Sequence, residues 1–319
     1  MEIEAREVSF AMRLRSHWES SSTMLVSAVS TQASSALSLQ TFGRAGPAPA
    51  SGLRMAGAAV MMCALTRPNL RRVTVREWSA IIAFGVVMAV MNLCLYQAID
   101  RLPLGVAVTL DFLGPCSLAF VMAKRWRERC CAPIALLGVV LIAGQGSGVN
   151  LVGVAFGLCA GLCFAGYAVL AERVGRQQQP LSRLALAVTI AAATTAPWSL
   201  RALGELNART VGLLLAAAFF GVVVSYTCDA IAAARASAAL IALLFGLDPA
   251  VGAIVGTVFL HQSLGLPAVV GMVLVVGAGV AVSWMAATDT RRARRGEVAP
   301  TTVGATSSDA AIDGVPEAR

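Results

Sequence analysis

The sequence predicts an all-α integral membrane protein whose ten transmembrane helices form two inverted five-helix repeats. Three observations lead to this fold: an apolar composition, ten hydrophobic segments, and a one-sided distribution of basic residues. Of the 319 residues, 57% are apolar and 13% are charged, and the mean hydropathy is +0.75. This balance excludes an ordinary soluble domain.

Ten segments have the composition of membrane spans, each of which needs about 20 mostly apolar residues. They are 22–42, 50–66, 78–99, 104–123, 132–147, 151–171, 184–200, 210–231, 236–259 and 265–286. The links between them are too short for a separate soluble domain. We therefore predict a cytoplasmic N-terminal segment over 1–21, a first repeat over 22–147, a second repeat over 151–286, and a disordered cytoplasmic tail over 287–319.

The first span is unusually rich in hydroxyl groups. Ser27, Thr31, Ser34 and Ser38 recur at helical spacing, which places them on one face of the helix. Two interpretations are open: these residues are packing contacts between helices, or they form the polar wall of a substrate cavity.

Basic residues orient the chain in the membrane. If the N-terminus is cytoplasmic, 20 of the 25 Lys and Arg residues lie on the cytoplasmic side, and the outer side and the adjoining helix ends receive Arg44, Arg54, Arg101, Arg201 and Arg209. This is the positive-inside bias, and it predicts an even number of spans with both termini in the cytoplasm. Because orientation explains the net charge of +8, we expect no nucleic-acid partner.

Four ionisable residues lie within the predicted spans, where a charge is costly and usually marks a transport pathway. They are Arg54, Asp111, Asp229 and Asp248. A structural hydrogen bond, or an ion pair with Arg54, is the alternative explanation for each aspartate.

Two of these aspartates stand close to prolines: Asp111 is four residues before Pro115, and Asp248 directly precedes Pro249. Pro115 lacks the N–H that would bond to the carbonyl of Asp111, and Pro249 likewise frees the carbonyl of Phe245 beside Asp248. Carboxylates next to unpaired carbonyls are typical of the broken-helix sites of transporters.

The two halves repeat these features at one offset of 134 residues. It relates Pro115 to Pro249, Pro133 to Pro267, and Arg101 to Arg235. Under the charge assignment, the fourth span runs inward and the ninth runs outward. The repeats are therefore predicted to be inverted, the architecture of alternating access around a midplane site.

The sequence lacks the residues that an enzyme or an ATP-driven pump would need. It has two histidines and a single lysine, Lys124, which is not in a glycine-rich loop. It contains no Walker A, HExxH or G-x-S-x-G motif, and its cysteines lack metal or redox spacing. We expect neither enzymatic activity nor a cofactor. A membrane sensor or structural protein is a second alternative, but a sensor would need a soluble output domain.

Several stretches resemble the drug/metabolite transporter superfamily of bacterial inner-membrane carriers, in particular the EamA-type threonine/homoserine exporters. These stretches are SGLRMAGA at 51–58, MNLCLYQAIDRLPLGVAVTLDFLGP at 91–115, SYTCDAIA at 225–232 and LDPAVGAIVGTVFL at 247–260. The resemblance implies efflux of small amino acids or related metabolites across the cytoplasmic membrane by proton antiport. The sequence departs from the family pattern at Asp111, Asp229 and Asp248, where Glu is expected. That departure leaves nucleobases and cationic drugs as alternative cargo.

The predicted site is a cavity lined by spans one, three, four, six, eight and nine. Asp111 and Asp248 are the candidate partners of a proton or a substrate ammonium, since a desolvated carboxylate is readily discharged. Arg54 either holds a substrate carboxylate or snorkels to the outer interface. Uncharged hydrogen bonds are expected from Asn92, Tyr96, Gln97, Tyr167 and Tyr226. The glycine ladder Gly153, Gly157 and Gly161 is expected to make a helix contact inside the bundle rather than at a dimer seam.

Overall fold

The computed structural model describes residues 22–122, 130–143, 150–175, 179–229 and 246–294, and these residues form helices joined by short turns. In chain order the helices are α1 (22–39), α2 (Phe42–Ala45), α3 (Pro47–Thr66), α4 (Val75–Ile99), α5 (Leu104–Met122), α6 (Cys131–Ala143), α7 (Leu151–Gly175), α8 (Pro180–Arg201), α9 (Ala208–Ala218), α10 (Leu247–Phe259) and α11 (Leu266–Arg294). A π-helical segment, Phe219–Val224, continues α9 into a helical stretch over 225–229.

Local sequence signals explain where these helices begin. Thr74 and Glu77 form a reciprocal capping box at the start of α4. The side chain of Asn207 accepts a hydrogen bond from the N–H of Thr210 at the start of α9. Pro47 is the first residue of α3, where a missing N–H costs no helical bond. Short polar turns therefore separate the apolar segments.

Each predicted span overlaps a helix, but several boundaries differ. The first span ends at 39 because turns at 40 and 41 precede α2, and α11 continues past 286 to Arg294. Helix α6 begins at Cys131, one residue before the predicted span 132–147. The first ten residues of span 236–259, the segment 1–21 and the tail after 294 lie outside the described residues.

Four of the described helical segments are long and apolar enough to cross a membrane: Pro47–Thr66, Val75–Ile99, Leu151–Ala171 and Ala208–Asp229. Their outward faces carry exposed apolar side chains such as Val60 and Leu162. An exposed apolar surface of this extent is suited to lipid rather than water. These features fit a multi-pass membrane protein, and the count of ten crossings stays a prediction.

Helices from the two halves pack against each other throughout the bundle. The principal contacts join α3 with α8, α4 with α7 and α8, α5 with α7 and α10, and α6 with α11. Glycine permits the closest of these approaches, because a Cβ atom at Gly161 on α7 would lie 2.7 Å from the backbone oxygen of Leu110 on α5. Gly153 and Gly157 also face α5 or the turn before it. The glycine ladder thus contacts the bundle interior, as predicted.

Candidate functional site

A cavity of about 90 Å³ lies between α1, α3, α4, α5, α7, the helical segment after α9, and the first turn of α10. Seven of the eight side chains that we predicted to form the site line its wall: Arg54, Asn92, Tyr96, Asp111, Tyr226, Asp229 and Asp248. Tyr167, the further predicted hydrogen-bonding residue, also lines it. The fold thus brings together residues that are up to 194 positions apart, Arg54 and Asp248.

Gln97 does not lie on this wall. Its side-chain Oε1 accepts a hydrogen bond from Nη1 of Arg101 at 2.6 Å, near the end of α4. Adjacent helical residues point about 100° apart, so the helix that turns Tyr96 toward the cavity directs Gln97 elsewhere.

Arg54 points into the bundle rather than toward the membrane interface, and only 4% of its surface is exposed. Its Nη1 donates to Oγ of Ser34 at 3.1 Å, and its Nη2 donates to Oδ1 of Asn92. The guanidinium carbon lies 5.0 Å from the centroid of the Tyr96 ring, a cation–π contact. A snorkelling side chain would keep its charge in water, so the snorkelling alternative is wrong.

All the described partners of Arg54 are uncharged. Within the described ranges no aspartate forms an ion pair with it, and its Nε has no hydrogen-bond partner. The alternative in which the buried aspartates pair with Arg54 is therefore wrong as well. A buried guanidinium without a counter-charge can bind a carboxylate through two parallel hydrogen bonds.

Three carboxylates from different parts of the chain reach the same wall. Asp111 on α5 is 8% exposed, and its Oδ1 has no hydrogen-bond partner among the described residues. Asp229 accepts a hydrogen bond from Oγ of Ser27 at 2.6 Å. Asp248 is half-buried in the first turn of α10. The cavity thus carries three acidic groups and one basic group.

The two proline positions differ in the structure. Pro115 lies inside α5, so the carbonyl of Asp111 lacks its helical N–H partner, as predicted. A Cβ atom at Gly161 would lie 3.1 Å from that oxygen, which shows how closely α7 approaches the break. Pro249 instead occupies the first turn of α10, where its missing N–H is expected to be harmless. Phe245, whose carbonyl we predicted to be free, lies outside the described residues.

The hydroxyl side chains on one face of α1 fit both interpretations left open by the sequence, contacts between helices and a polar cavity wall. Ser27 and Thr31 line the cavity, and each hydrogen-bonds Oγ of Ser225, at 2.8 and 2.6 Å. Ser34 accepts from Arg54, and Ser38 accepts from Oη of Tyr96 at 2.7 Å. One helix face therefore supplies polar wall and also positions two of the site residues.

Sequence reasoning missed the π-helical segment and the role of Gly221 within it. A Cβ atom at Gly221 would lie 2.2 Å from Oγ of Ser34 and 2.7 Å from Nη1 of Arg54. Wide helical turns of this kind are frequent at functional sites. The glycine inside an apolar run was a weak hint of close approach.

Gln32 and Ser225 were also missed as site residues, although both line the cavity. The available signal was a polar side chain inside an apolar segment. That signal does not say which face of the helix the side chain occupies, so it could not distinguish these residues from surface positions.

Comparison with known proteins agrees with the family resemblance seen in the sequence. The model of the EamA-like transporter family matches residues 151–284. The threonine/homoserine exporter RhtA of Escherichia coli K12 is 30% identical over 246 residues, which cover 76% of this chain and 83% of the exporter. Its counterpart from Salmonella typhimurium SL1344 is 28% identical over 256 residues, with the same coverage.

A solved crystal structure has a similar fold. It superposes with a TM-score of 0.56 at 16% sequence identity, over 84% of this chain and 97% of the other. Because the helices, the cavity and the relatives agree with the resemblance seen in the sequence, we conclude that this chain belongs to the EamA-like transporter family.

Proposed function

We propose that this protein is a proton-coupled exporter of small zwitterionic amino acids of the threonine/homoserine kind, acting across the cytoplasmic membrane. The observation that carries the proposal is one cavity whose wall holds a buried arginine without a described carboxylate partner and three aspartates. The two relatives are threonine/homoserine exporters, which supports the same cargo class.

The charges of the wall are complementary to an α-amino acid. The carboxylate of the substrate binds the guanidinium of Arg54, and its ammonium group binds Asp111 or Asp248. Tyr226 and Asn92 add uncharged hydrogen bonds at the same wall. A volume of about 90 Å³ accommodates a small solute and is well below the roughly 300–1,000 Å³ of pockets for larger ligands.

Proton coupling follows from competition for one carboxylate. A carboxyl group in a low-dielectric site takes up a proton readily, and the protonated group no longer attracts an ammonium ion. Substrate and proton then occupy Asp111 or Asp248 in turn, which is the requirement for antiport. Asp229 is held by Ser27 and acts as a neighbouring charge on the pathway.

The proposed topology has ten crossings, repeats over 22–147 and 151–286, and both termini in the cytoplasm. Three of the principal helix pairs, α3 with α8, α5 with α10 and α6 with α11, join equivalent members of the proposed repeats, which supports a pseudo-twofold arrangement. Accessibility labelling of single cysteines should place 124–129 and 288–319 on the same, cytoplasmic face. Labelling from opposite faces would contradict the inverted repeats.

A cationic cargo is the second candidate, and the excess of acidic over basic groups on the wall favours it. The two candidates make opposite predictions for Arg54. A substrate without a carboxylate gains nothing from the guanidinium and is repelled by it, whereas a zwitterion depends on it.

Counterflow into proteoliposomes tests the proposal directly. The purified protein is reconstituted with internal threonine, and uptake of labelled threonine, homoserine, alanine, nucleobases and a cationic drug is measured with and without a pH gradient. We expect exchange of the small amino acids and stimulation by the gradient. Exchange of the cationic drug alone would favour the second candidate, and no exchange of any amino acid would refute the first.

A further inference from the structure

Three side chains on the cavity wall have a buried polar atom without a hydrogen-bond partner among the described residues. These atoms are Oε1 of Gln32, Nε of Arg54 and Oδ1 of Asp111. Buried polar atoms are almost always paired in folded proteins, so each exception needs an explanation. The proposed function accounts for Arg54 and Asp111, but it leaves Gln32 without a role.

Gln32 lies on α1 and is only 2% exposed. Its Oε1 is 3.4 Å from the point that a Cβ atom of Gly252 would occupy, and the Cα atom of Gly105 is 3.5 Å from the same point. Gly252 is one helical turn after Asp248 on α10. The carboxamide therefore lies where α5 meets α10, one helical turn from the residue that carries the Asp248 carboxylate.

Packing does not explain a carboxamide at this position. Leu or Met would fill a similar volume without the cost of burying an unpaired polar group. The carboxamide adds a hydrogen-bond donor and an acceptor to a space that already contains charged groups.

The neighbouring polar groups of α1 are already engaged by the protein. Thr31 bonds Ser225, Ser35 donates to the carbonyl of Thr31 at 3.1 Å, and Ser27 donates to Asp229. Gln32 thus differs from these three residues, because its buried Oε1 has no hydrogen-bond partner among the described residues.

We propose that Gln32 is a specificity residue that recognises the side-chain hydroxyl group of the transported amino acid. The inference rests on the proposed function, in which Arg54 and an aspartate bind the two charged groups of the substrate. A carboxamide supplies one acceptor and two donors, and a hydroxyl group can both donate and accept. Gln32 completes a three-point contact that favours a hydroxylated amino acid over its apolar isostere.

Threonine and valine provide the test, because they differ by a hydroxyl in place of a methyl group. In counterflow, the wild type should exchange threonine at least about tenfold better than valine, since valine leaves the buried carboxamide unpaired. The variant Gln32→Leu should lower this ratio about tenfold, with alanine exchange retained as evidence of a folded carrier. Gln32→Met, which keeps the unbranched shape, should give the same result.

Ser51→Ala is the matched control. Oγ of Ser51 is also buried without a described partner, but Ser51 does not line the cavity, so the threonine-to-valine ratio should stay as in the wild type. An unchanged ratio in an active Gln32→Leu protein would overturn this inference and leave the proposed function standing. Equal loss of threonine, valine and alanine exchange in both Gln32 variants would overturn it too. Failure of the wild type to exchange any amino acid would refute the proposed function itself.

Discussion

Two arginines are buried in the described part of this protein, and their surroundings differ. Arg183 at the start of α8 places Nη2 3.3 Å from Oε1 of Glu77. Glu77 is itself fixed by the capping box with Thr74 at the start of α4. Arg54 is buried to a similar degree, but its described hydrogen-bond partners are the uncharged side chains of Ser34 and Asn92.

This difference separates a charge that is balanced within the protein from one that, in the proposed function, the substrate balances. The charge of Arg183 is balanced within the protein, and its ion pair joins α8 to α4. A buried charge without a partner is destabilising, so a buried guanidinium that lacks a carboxylate is expected where a ligand supplies the partner. Arg54, rather than the ion-paired Arg183, is therefore the arginine available to a substrate carboxylate.

The largest effect is expected from Arg54→Gln. Loss of the guanidinium removes the charge-assisted contact to the substrate carboxylate, so amino-acid counterflow should fall about 100-fold or more. Arg183→Gln is the matched control: it should lower the melting temperature while changing the exchange rate by no more than about threefold. Equal exchange rates in Arg54→Gln and Arg183→Gln would contradict a special role of Arg54 in substrate binding.

Asp111→Asn tests whether the unpaired carboxylate of the cavity couples transport to protons. The amide keeps the shape but cannot exchange a proton, so stimulation by a pH gradient should fall about tenfold or more, whereas exchange without a gradient persists in part. Asp100→Asn serves as the control, because Asp100 lies beside Arg101 at the exposed end of α4. Stimulation at the wild-type level in Asp111→Asn and in Asp248→Asn would exclude both residues from coupling.

A smaller effect is expected from Gly221→Ala, which displaces the guanidinium of Arg54 without removing it. This variant tests whether the position of the charge matters as well as its presence. The new Cβ atom would fall 2.7 Å from Nη1 of Arg54 and 2.2 Å from Oγ of Ser34. We expect the threonine concentration for half-maximal exchange to rise about tenfold. Gly212→Ala on α9 has no atom within 4 Å of its added Cβ and should behave as the wild type; similar values for both variants would show that the placement of Arg54 is not critical.

Tyr96→Phe should have the smallest effect. It keeps the ring beneath Arg54 but removes the hydrogen bond to Ser38. A single uncharged hydrogen bond is worth about 1 kcal/mol, so exchange should fall about two- to fivefold in the same assay. A loss as large as that of Arg54→Gln would mean that the hydroxyl group of Tyr96 itself contacts the substrate.

The cost of burying charge is the reason that the sequence could identify much of the candidate site. Asp111, Asp229, Asp248 and Arg54 stand out because ionisable groups are rare in apolar segments. Gln32 and Ser225 are uncharged, so the sequence does not distinguish them from the other uncharged polar residues of their segments. Gln97 and Tyr96 were equally good candidates for the cavity wall, because the sequence does not show which face of the helix is turned toward the cavity.

The class of the protein, the positions of its apolar helices and the residues whose burial is costly could all be predicted from the sequence. These features depend on local hydrophobicity and on the solvation of single side chains, which act over one helix at a time. Three further features are visible only in the folded chain. Arg54 turns inward to Ser34 on α1 and Asn92 on α4, and its guanidinium lies close to Gly221 in the π-helical turn. Oε1 of Gln32 has no hydrogen-bond partner among the described residues. Hydrogen-bond partners are set by distances between helices that are remote in sequence, and no local pattern records those distances.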